Sequence, residues 1–211
     1  MAKKNSLSLS FESFTPVASI IVFVSILVFV FQKISGTFLL MFFAPGKLGS
    51  VVAFSPTKIT EYFRFILHVF GSKDFVLLST NCLIFMFLSS KVEQDYGSVF
   101  TLIMCFVATF VTGIINACFF TQLCYGLEGL IFMFFMLTVF SAQNRKNLSV
   151  FLLFALTLYV LQAVVLIVDK KQYSLIAQFI GGLCGYFVSF AAFTPKRKTA
   201  KKTSPKSQEQ K

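Results

Sequence analysis

The sequence predicts an all-α polytopic membrane protein, built as a bundle of about six transmembrane helices. Hydrophobic residues make up 56% of the 211 residues, phenylalanine alone occurs 30 times, and the mean hydropathy is +0.81. A water-soluble domain of this length could not bury so much apolar surface. Apolar segments also recur along the chain, each close to the ~20 residues that a spanning helix requires. We therefore expect lipid to be the solvent of most of this chain.

The first apolar segment runs from Pro16 to Phe31 without a charged residue. A cleaved signal peptide is the alternative interpretation, but the run is long and no A-x-A site follows it, which favours a retained first span. The mixed composition of residues 32–72 predicts a long loop with short helices at the membrane surface. Five further spans are expected in the apolar windows 75–90, 99–120, 127–142, 148–168 and 173–193.

Basic residues in the short connections and at the termini predict the orientation of the bundle. With an even number of spans both termini share a side, and both termini carry lysines. The loop with Arg145 and Lys146 falls on that same side, whereas Lys170 and Lys171 are an exception. We therefore expect the membrane domain to occupy 15–193, between two cytoplasmic segments at 1–14 and 194–211.

The tail 194–211 carries seven Lys or Arg residues against Glu209 alone, out of a net charge of +11 for the whole chain. A basic segment directly after an apolar one is typical of a cytoplasmic flank near anionic lipid, at about 1 kcal/mol per basic residue. We expect this tail to be disordered and to contact the anionic lipid surface. A nucleic-acid-binding arm is the weaker alternative, because no folded basic domain accompanies the tail, so no nucleic-acid partner is expected.

Polar side chains lie in two of the apolar windows, where lipid would not favour them. Glu128 stands in the segment Tyr125–Gly129, and Gln178 stands in the segment Ala177–Gly181. Glycines flank both side chains, so two helices could approach closely there and bring Glu128 towards Gln178. This pair predicts a buried polar site between the fourth and sixth spans.

Three short motifs in the first half of the membrane domain have a distinctive spacing. Phe63-Arg64 is followed by His68, and Asn81 comes four residues after Leu77. Further on, Glu93 precedes Gly97 and Ser98. Two more motifs come in the second half: Gly126-Leu127-Glu128-Gly129, and Ala177-Gln178 followed by Gly181 and Gly185.

Taken in order, these five motifs resemble those of the rhomboid family of intramembrane serine proteases. That family has W-R…F-L-H, L-H-x-x-x-N, E-x-x-x-G-S, G-x-S-G and A-H-x-x-G-x-x-x-G at the corresponding places, over roughly residues 60 to 190. The resemblance implies a rhomboid-like six-helix bundle with a cleft formed by Asn81, Gly126, Glu128 and Gln178. It implies structural roles for Arg64, His68, Glu93, Gly97, Gly129, Gly181 and Gly185.

The departures from the family pattern fall on the catalytic positions. Glu128 stands in place of the nucleophilic serine, Gln178 in place of the general-base histidine, and Leu77 in place of an oxyanion-binding histidine, while Asn81 is retained. A carboxylate is a poor nucleophile towards an amide, and a glutamine side chain cannot take up a proton. No catalytic residue is therefore expected, and the sequence predicts a pseudoprotease without cofactor or metal.

Two routes to altered proteolysis stay open at this stage. Glu128 could activate a water, although carboxylate chemistry of that type uses two acids, and Asp74 is the nearest other acid. Cys124 could be a displaced nucleophile, with His68 as the single histidine of the chain. Otherwise the cysteines are expected to be small apolar packing residues.

The predicted function is to bind transmembrane segments of other membrane proteins and to control their folding, traffic or degradation. An intramembrane protease with altered chemistry is the alternative, and a small transporter or channel is a third possibility that only the buried polar residues favour. For Glu128 itself two roles are open: a structural hydrogen bond to Gln178, or a contact with a client protein.

Overall fold

A computed structural model of the protein describes residues 15–34, 42–47, 49–50, 53–140, 150–170 and 172–192. The predicted cytoplasmic ends at 1–14 and 194–211, and the loop with Arg145 and Lys146, lie outside the described residues. The helices in chain order are α1 (Pro16–Ile34), α2 (Ile59–Leu67), α3 (Phe75–Tyr96), α4 (Ser98–Phe119), α5 (Glu128–Phe140), α6 (Val150–Lys170) and α7 (Ser174–Ala192). A short 3₁₀ helix, His68–Phe70, follows α2 directly.

Six of these helices coincide with the six predicted apolar windows. Within the described residues, α1, α3, α4 and α6 are long and apolar enough to cross a membrane, whereas α5 and α7 contribute shorter apolar helices. The prediction of an all-α polytopic membrane protein is therefore confirmed. The exact number of spans, six, stays a prediction.

Phenylalanines on the outside of the bundle face the surroundings on every long helix. Large exposed side chains include Phe23 on α1, Phe87 on α3, Phe106 on α4 and Phe154 on α6. Exposing so much apolar surface to water would be unfavourable, whereas exposing it to the hydrocarbon of a lipid bilayer is not. The exposed phenylalanines are therefore the signature of a lipid-facing surface.

α5 forms the centre of the bundle. Its sequence is apolar all round, and a helix of that composition is expected to be surrounded by other helices. Ile131, Met133 and Phe134 are completely buried, and α5 packs against α3, α4, α6 and α7. The first residue of this central helix is Glu128, so the fold carries a carboxyl group into the interior of the bundle.

Glycines on α7 allow it to lie directly against α4 and α5. A methyl group added at Gly185 would come within 2.6 Å of Met133 Sδ and 2.8 Å of Ala108 Cβ. One added at Gly181 would collide with the hydroxyl of Thr112. Since only a residue without a side chain fits at these two positions, the glycine spacing fixes the α4–α7 and α5–α7 contacts.

α1 begins at the same end of the bundle at which α3 ends. The Glu93 carboxylate accepts hydrogen bonds from the backbone N–H of Val17 (3.2 Å) and of Ala18 (3.3 Å), so it caps the first turn of α1. Gly97 then takes a positive φ of 90° between α3 and α4, which allows the chain to reverse direction. These contacts give Glu93 and Gly97 structural positions far from Glu128.

The segment between α1 and α3 contains the short helix that the sequence predicted. α2 exposes Ile59 and Phe63 on one side and buries Arg64 on the other. Arg64 Nε donates to the carbonyl of Phe43 (3.1 Å), and Arg64 Nη1 pairs with Glu61 (3.1 Å). Arg64 thus joins α2 to the earlier part of the same loop, at Phe43. That α2 lies at the membrane surface stays a prediction.

Candidate functional site

A tight turn delivers Glu128 to the start of α5. Gly126 adopts a φ of +104°, which L side chains rarely adopt, and its N–H donates to the carbonyl of His68 (3.0 Å). A methyl group at Gly126 would collide with Glu128 Oε2. The carboxyl therefore folds back over its own turn, where the N-terminal end of α5 favours negative charge.

The Glu128 carboxyl is bound on one side only. Oε1 accepts a hydrogen bond from Asn81 Nδ2 (3.0 Å), which joins α5 to α3. Oε2 is buried and has no hydrogen-bond partner among the described residues. The Tyr159 hydroxyl donates to the backbone carbonyl of Glu128 (3.3 Å) and links α6 to the same point. The two oxygens of this carboxyl therefore have unequal surroundings.

Gln178 is buried beside this turn, on α7, and uses its amide on the backbone. Nε2 donates to the carbonyl of Tyr125 (2.8 Å), and Oε1 accepts from the N–H of Gly129 (3.0 Å). The Gly129 N–H is one of the groups that a helix N-terminus leaves without an intrahelical partner. The expected approach of α7 to the start of α5 is therefore made through the Gln178 amide, whose two short hydrogen bonds go to backbone groups on either side of Glu128.

A crevice lies between α3 and α6, narrow beside the Glu128 carboxyl (about 20 Å³) and wide at its rim (about 470 Å³). It consists of two adjoining cavities that share Leu77, Gln162 and Leu166. We call it the α3–α6 crevice. Its inner part is lined by Asn81, Glu128, Tyr159 and Phe179, and its rim by Lys73, Asp74, Tyr125 and Gln172.

Leu77 lies where the inner and outer cavities of the crevice meet. Asn81 lies one turn further along α3, and its Nδ2 donates to Glu128 Oε1. Leu77 offers no donor. The four cleft residues predicted from the sequence all lie around the turn at Gly126: Asn81, Gly126, Glu128 and Gln178. Among the described residues, Leu77 and Asn81 do not present a pair of unbound hydrogen-bond donors to the crevice.

The displaced-nucleophile route through Cys124 has little support in the structure. The thiol is completely buried, lies 3.9 Å from the carbonyl of Ser174, and its burial raises its pKa far above the usual value. A reactive cysteine needs a lowered pKa. His68 is buried as well: Nδ1 donates to the Phe65 carbonyl (2.9 Å), and burial lowers its pKa to about 4, so the ring is neutral.

The second-carboxylate route through Asp74 meets a similar obstacle. Asp74 is exposed at the rim, where it caps α3 by accepting from the N–H of Val76 (3.1 Å). It lines the outer cavity, whereas Glu128 lines the inner one. The two acids therefore do not form the shared-proton pair that this chemistry uses.

Sequence reasoning missed Tyr159 as a member of this site. Its signal was a single phenol within an otherwise apolar window, and buried tyrosines generally need a partner for the hydroxyl. Lys73 was also missed: its ammonium lies 4.9 Å from the centre of the Tyr125 ring and 5.6 Å from that of Phe43. These cation–π contacts hold Lys73 at the rim of the crevice.

The fold and the site together define an α-helical polytopic membrane protein with a polar group enclosed near one end of its bundle. The family model of the Rhomboid domain matches residues 59–195, from α2 to the end of α7. This is more than half of the chain, and the protein belongs to the rhomboid family. Among curated proteins, none matches the chain at a significant level.

Proposed function

We propose that this rhomboid-family protein does not cleave its clients, and that it binds their transmembrane segments in the α3–α6 crevice. By holding such segments it would control the folding, traffic or degradation of the membrane proteins to which they belong. The proposal rests on the hydrogen bonds made by Glu128 and Gln178, the two residues that stand at the positions of the family's catalytic serine and histidine (the dyad). Glu128 is hydrogen-bonded to Asn81, and Gln178 is hydrogen-bonded to backbone groups on both sides of its amide.

The chemistry of these two side chains argues against amide hydrolysis. A serine-type mechanism needs a hydroxyl nucleophile and a base that takes its proton. The amide of Gln178 has no titratable nitrogen, and its oxygen and nitrogen already serve Gly129 and Tyr125. The Glu128 carboxylate could attack an amide only by forming an acid anhydride. Neither member of the dyad therefore retains the property on which the reaction depends.

The packing of α6 supports lateral access from the lipid. α6 packs chiefly against α5, and only 11% of its apolar window is buried inside the protein. α3 and α6 form the two sides of the crevice, and Glu128 and Phe179 lie at its inner end. A helix from the bilayer could therefore reach Leu77 and Phe179 without leaving the hydrocarbon region, where helix association depends on close packing and interhelical hydrogen bonds.

The retained scaffold supports a role that uses the fold without the chemistry. The cap at Glu93, the turn at Gly97 and the close approach at Gly181 are all present. They hold the bundle in shape around the crevice. We further propose that both termini face the cytoplasm, which the lysines of the terminal segments favour.

The proposal is tested with the purified full-length protein in liposomes, mixed with a panel of single-span substrates. We expect no cleavage by the wild type and capture of the substrates by a photo-crosslinker placed at Leu77, on the crevice. A crosslinker at Phe23, exposed on α1 and outside the lining of the crevice, is the matched control. Capture at Leu77 that does not exceed that at Phe23 would remove the client-binding proposal.

The same panel is run with Glu128→Ala and with the double variant Glu128→Ser/Gln178→His. Cleavage by the wild type that disappears in Glu128→Ala would identify a protease with altered chemistry and overturn the proposal. Cleavage by the double variant alone would support the proposal, because it would locate the loss of activity at these two positions.

A further inference from the structure

We infer that Glu128 determines which segments the α3–α6 crevice accepts, and that it selects transmembrane helices that carry a lysine or arginine. The inference rests on the proposed function, since it names the class of segment that the crevice binds. It assigns a positive role to the side chain that replaces the nucleophile. Apolar segments without a basic residue are expected to bind more weakly.

The first argument is the unused acceptor capacity of the carboxyl. An ionised carboxylate has about four lone-pair positions. The described residues provide one side-chain donor, Asn81 Nδ2, to Oε1, and none to Oε2. A buried acceptor without a partner is unfavourable. A donor that arrives with a bound helix would satisfy it, so the free protein leaves a place for such a donor.

The second argument is charge complementarity. Among the described residues, the one ion pair of the chain joins Arg64 to Glu61, on the loop before α3. The nearest lysine of the crevice is Lys73, at the rim, where it lies over the Tyr125 ring. No described cation therefore neutralises Glu128. Charged residues inside membranes pair with opposite charges, so a basic residue on the client is the complement of this site.

The third argument is the character of the surrounding surface. Leu77, Ala163, Leu166 and Phe179 provide apolar contacts around the carboxyl, and Gln162 adds a neutral amide. An apolar helix face could pack at the rim, where the volume is about 470 Å³, while the terminal cationic group of one side chain reaches the space of about 20 Å³ beside the carboxyl. An acidic client residue would place two carboxyls side by side, which disfavours their charged forms. The crevice thus discriminates by the sign of the charge.

The depth of the site sets where the basic residue must lie. Asn81, the partner of Glu128, comes six residues after the start of α3 at Phe75. At 1.5 Å per residue this is roughly 9 Å along the helix axis. A client helix should therefore carry its lysine or arginine about six residues inside the corresponding end of its apolar span, with about one turn of tolerance from the long side chain.

The experiment uses the full-length protein in lipid nanodiscs and three labelled single-span peptides of leucine and alanine. At the sixth apolar position from one end they carry lysine, leucine or glutamate. Binding is measured by fluorescence energy transfer. We expect the wild type to bind the lysine peptide on the order of tenfold more tightly than the leucine peptide, and the glutamate peptide most weakly.

Glu128→Gln is the informative variant, because glutamine keeps the shape and an oxygen for Asn81 but removes the charge. It should lose the preference for lysine and keep the affinity for the leucine peptide. Asp95→Asn is the matched control: it removes an acid near the C-terminal end of α3, outside the lining of the crevice, and should leave the preference intact. Thermal unfolding in the same nanodiscs checks that both variants are folded.

The outcomes separate this inference from the proposed function. Equal affinity of the wild type for the lysine and leucine peptides, or a preference that persists in Glu128→Gln, overturns the role of Glu128 while client binding stands. Failure of the wild type to bind any peptide overturns both. Should Glu128→Gln not fold, a wild-type scan of the lysine along the peptide decides: a preference that does not depend on depth contradicts the inference.

Discussion

Asn81 and Glu128 join α3 to α5 through a hydrogen bond of 3.0 Å, 47 residues apart in the chain. Asn81 is buried, and its Nδ2 is the one side-chain donor that the described residues provide to the Glu128 carboxyl. The bond ties the start of the central helix α5 to α3, so we expect it to stabilise the bundle.

Asn81→Ala should destabilise the protein because it leaves the Glu128 carboxyl without its donor. Interhelical hydrogen bonds in membranes contribute about 0.6 kcal/mol on average and up to about 1.7 kcal/mol. We expect a loss on the order of 1–2 kcal/mol, since an unsatisfied acceptor also stays buried. Unfolding in mixed micelles measures it.

Thr80→Ala is the matched control, because Thr80 is exposed next to Asn81 and bonds only to the backbone of its own helix at Val76 (2.9 Å). It should change stability by a few tenths of a kcal/mol. A double-mutant cycle with Glu128→Ala isolates the pair. A coupling energy near zero would show that the bond does not stabilise the bundle.

His68 should make the protein less stable in acid. Burial lowers its pKa from 6.5 to about 4, so between these values the unfolded chain binds a proton that the folded chain does not. The contribution of neutral, buried His68 to the free energy of unfolding is therefore fully present above pH 6.5. It is lost as the pH falls towards 4, which lowers the stability by on the order of 3 kcal/mol. The unfolding midpoint is measured across this range for the wild type and for His68→Gln.

His68→Gln cannot titrate, so its stability should fall less steeply than that of the wild type over the same interval. The carboxylates of the chain titrate in both proteins, and the difference between the two curves isolates the histidine. Two parallel curves would mean that the ring is protonated in the folded state as readily as in the unfolded one.

The positions of the helices could be predicted from the sequence, because the requirement for apolar length acts on each segment separately. The windows 75–90 and 148–168 contain most of α3 (Phe75–Tyr96) and α6 (Val150–Lys170). The close helix approach at Gly181 and Gly185 also followed from the pattern, since glycines in an apolar helix indicate close packing, whereas the positive φ of Gly126 did not.

The partners within the site could not be predicted in the same way. Glu128 was expected to meet Gln178, because glycines flank both side chains and would allow their helices to approach closely. In the structure the amide of Gln178 meets the free N–H of Gly129 and the carbonyl of Tyr125, which local geometry places nearer. Tyr159 was not predicted because a single tyrosine in an apolar window does not reveal what its hydroxyl contacts.

Gly181→Ala should loosen the contact between α4 and α7. The added methyl group would collide with Thr112 Oγ1 and come within 2.9 Å of the carbonyl of Ala108. Overpacking of this kind costs about 1–3 kcal/mol. Thermal unfolding of Gly181→Ala, of Thr112→Ala and of the double variant tests the cause: removal of the Thr112 hydroxyl should restore part of the loss. A double variant as unstable as the sum of the single ones would exclude this contact as the reason.

Glu93→Ala should release the start of α1 from the end of α3. The carboxylate accepts hydrogen bonds from the N–H groups of Val17 and Ala18. Beside them, Thr15 Oγ1 lies 3.2 Å from Ser90 Oγ. Loss of a cap at a helix N-terminus costs about 0.5–2 kcal/mol. Hydrogen exchange at Val17 and Ala18 should therefore become faster in this variant.

The control for Glu93→Ala is Asp95→Asn, which removes a carboxylate from the same turn of α3 and leaves both caps of α1 in place. It should leave the exchange at Val17 and Ala18 unchanged. Glu93→Gln should fall between the two, because its single amide oxygen can accept from one N–H but does not carry the charge that favours a helix N-terminus. Equal exchange rates in all three variants would show that the packing of α1 against α3, without the cap, holds this helix in place.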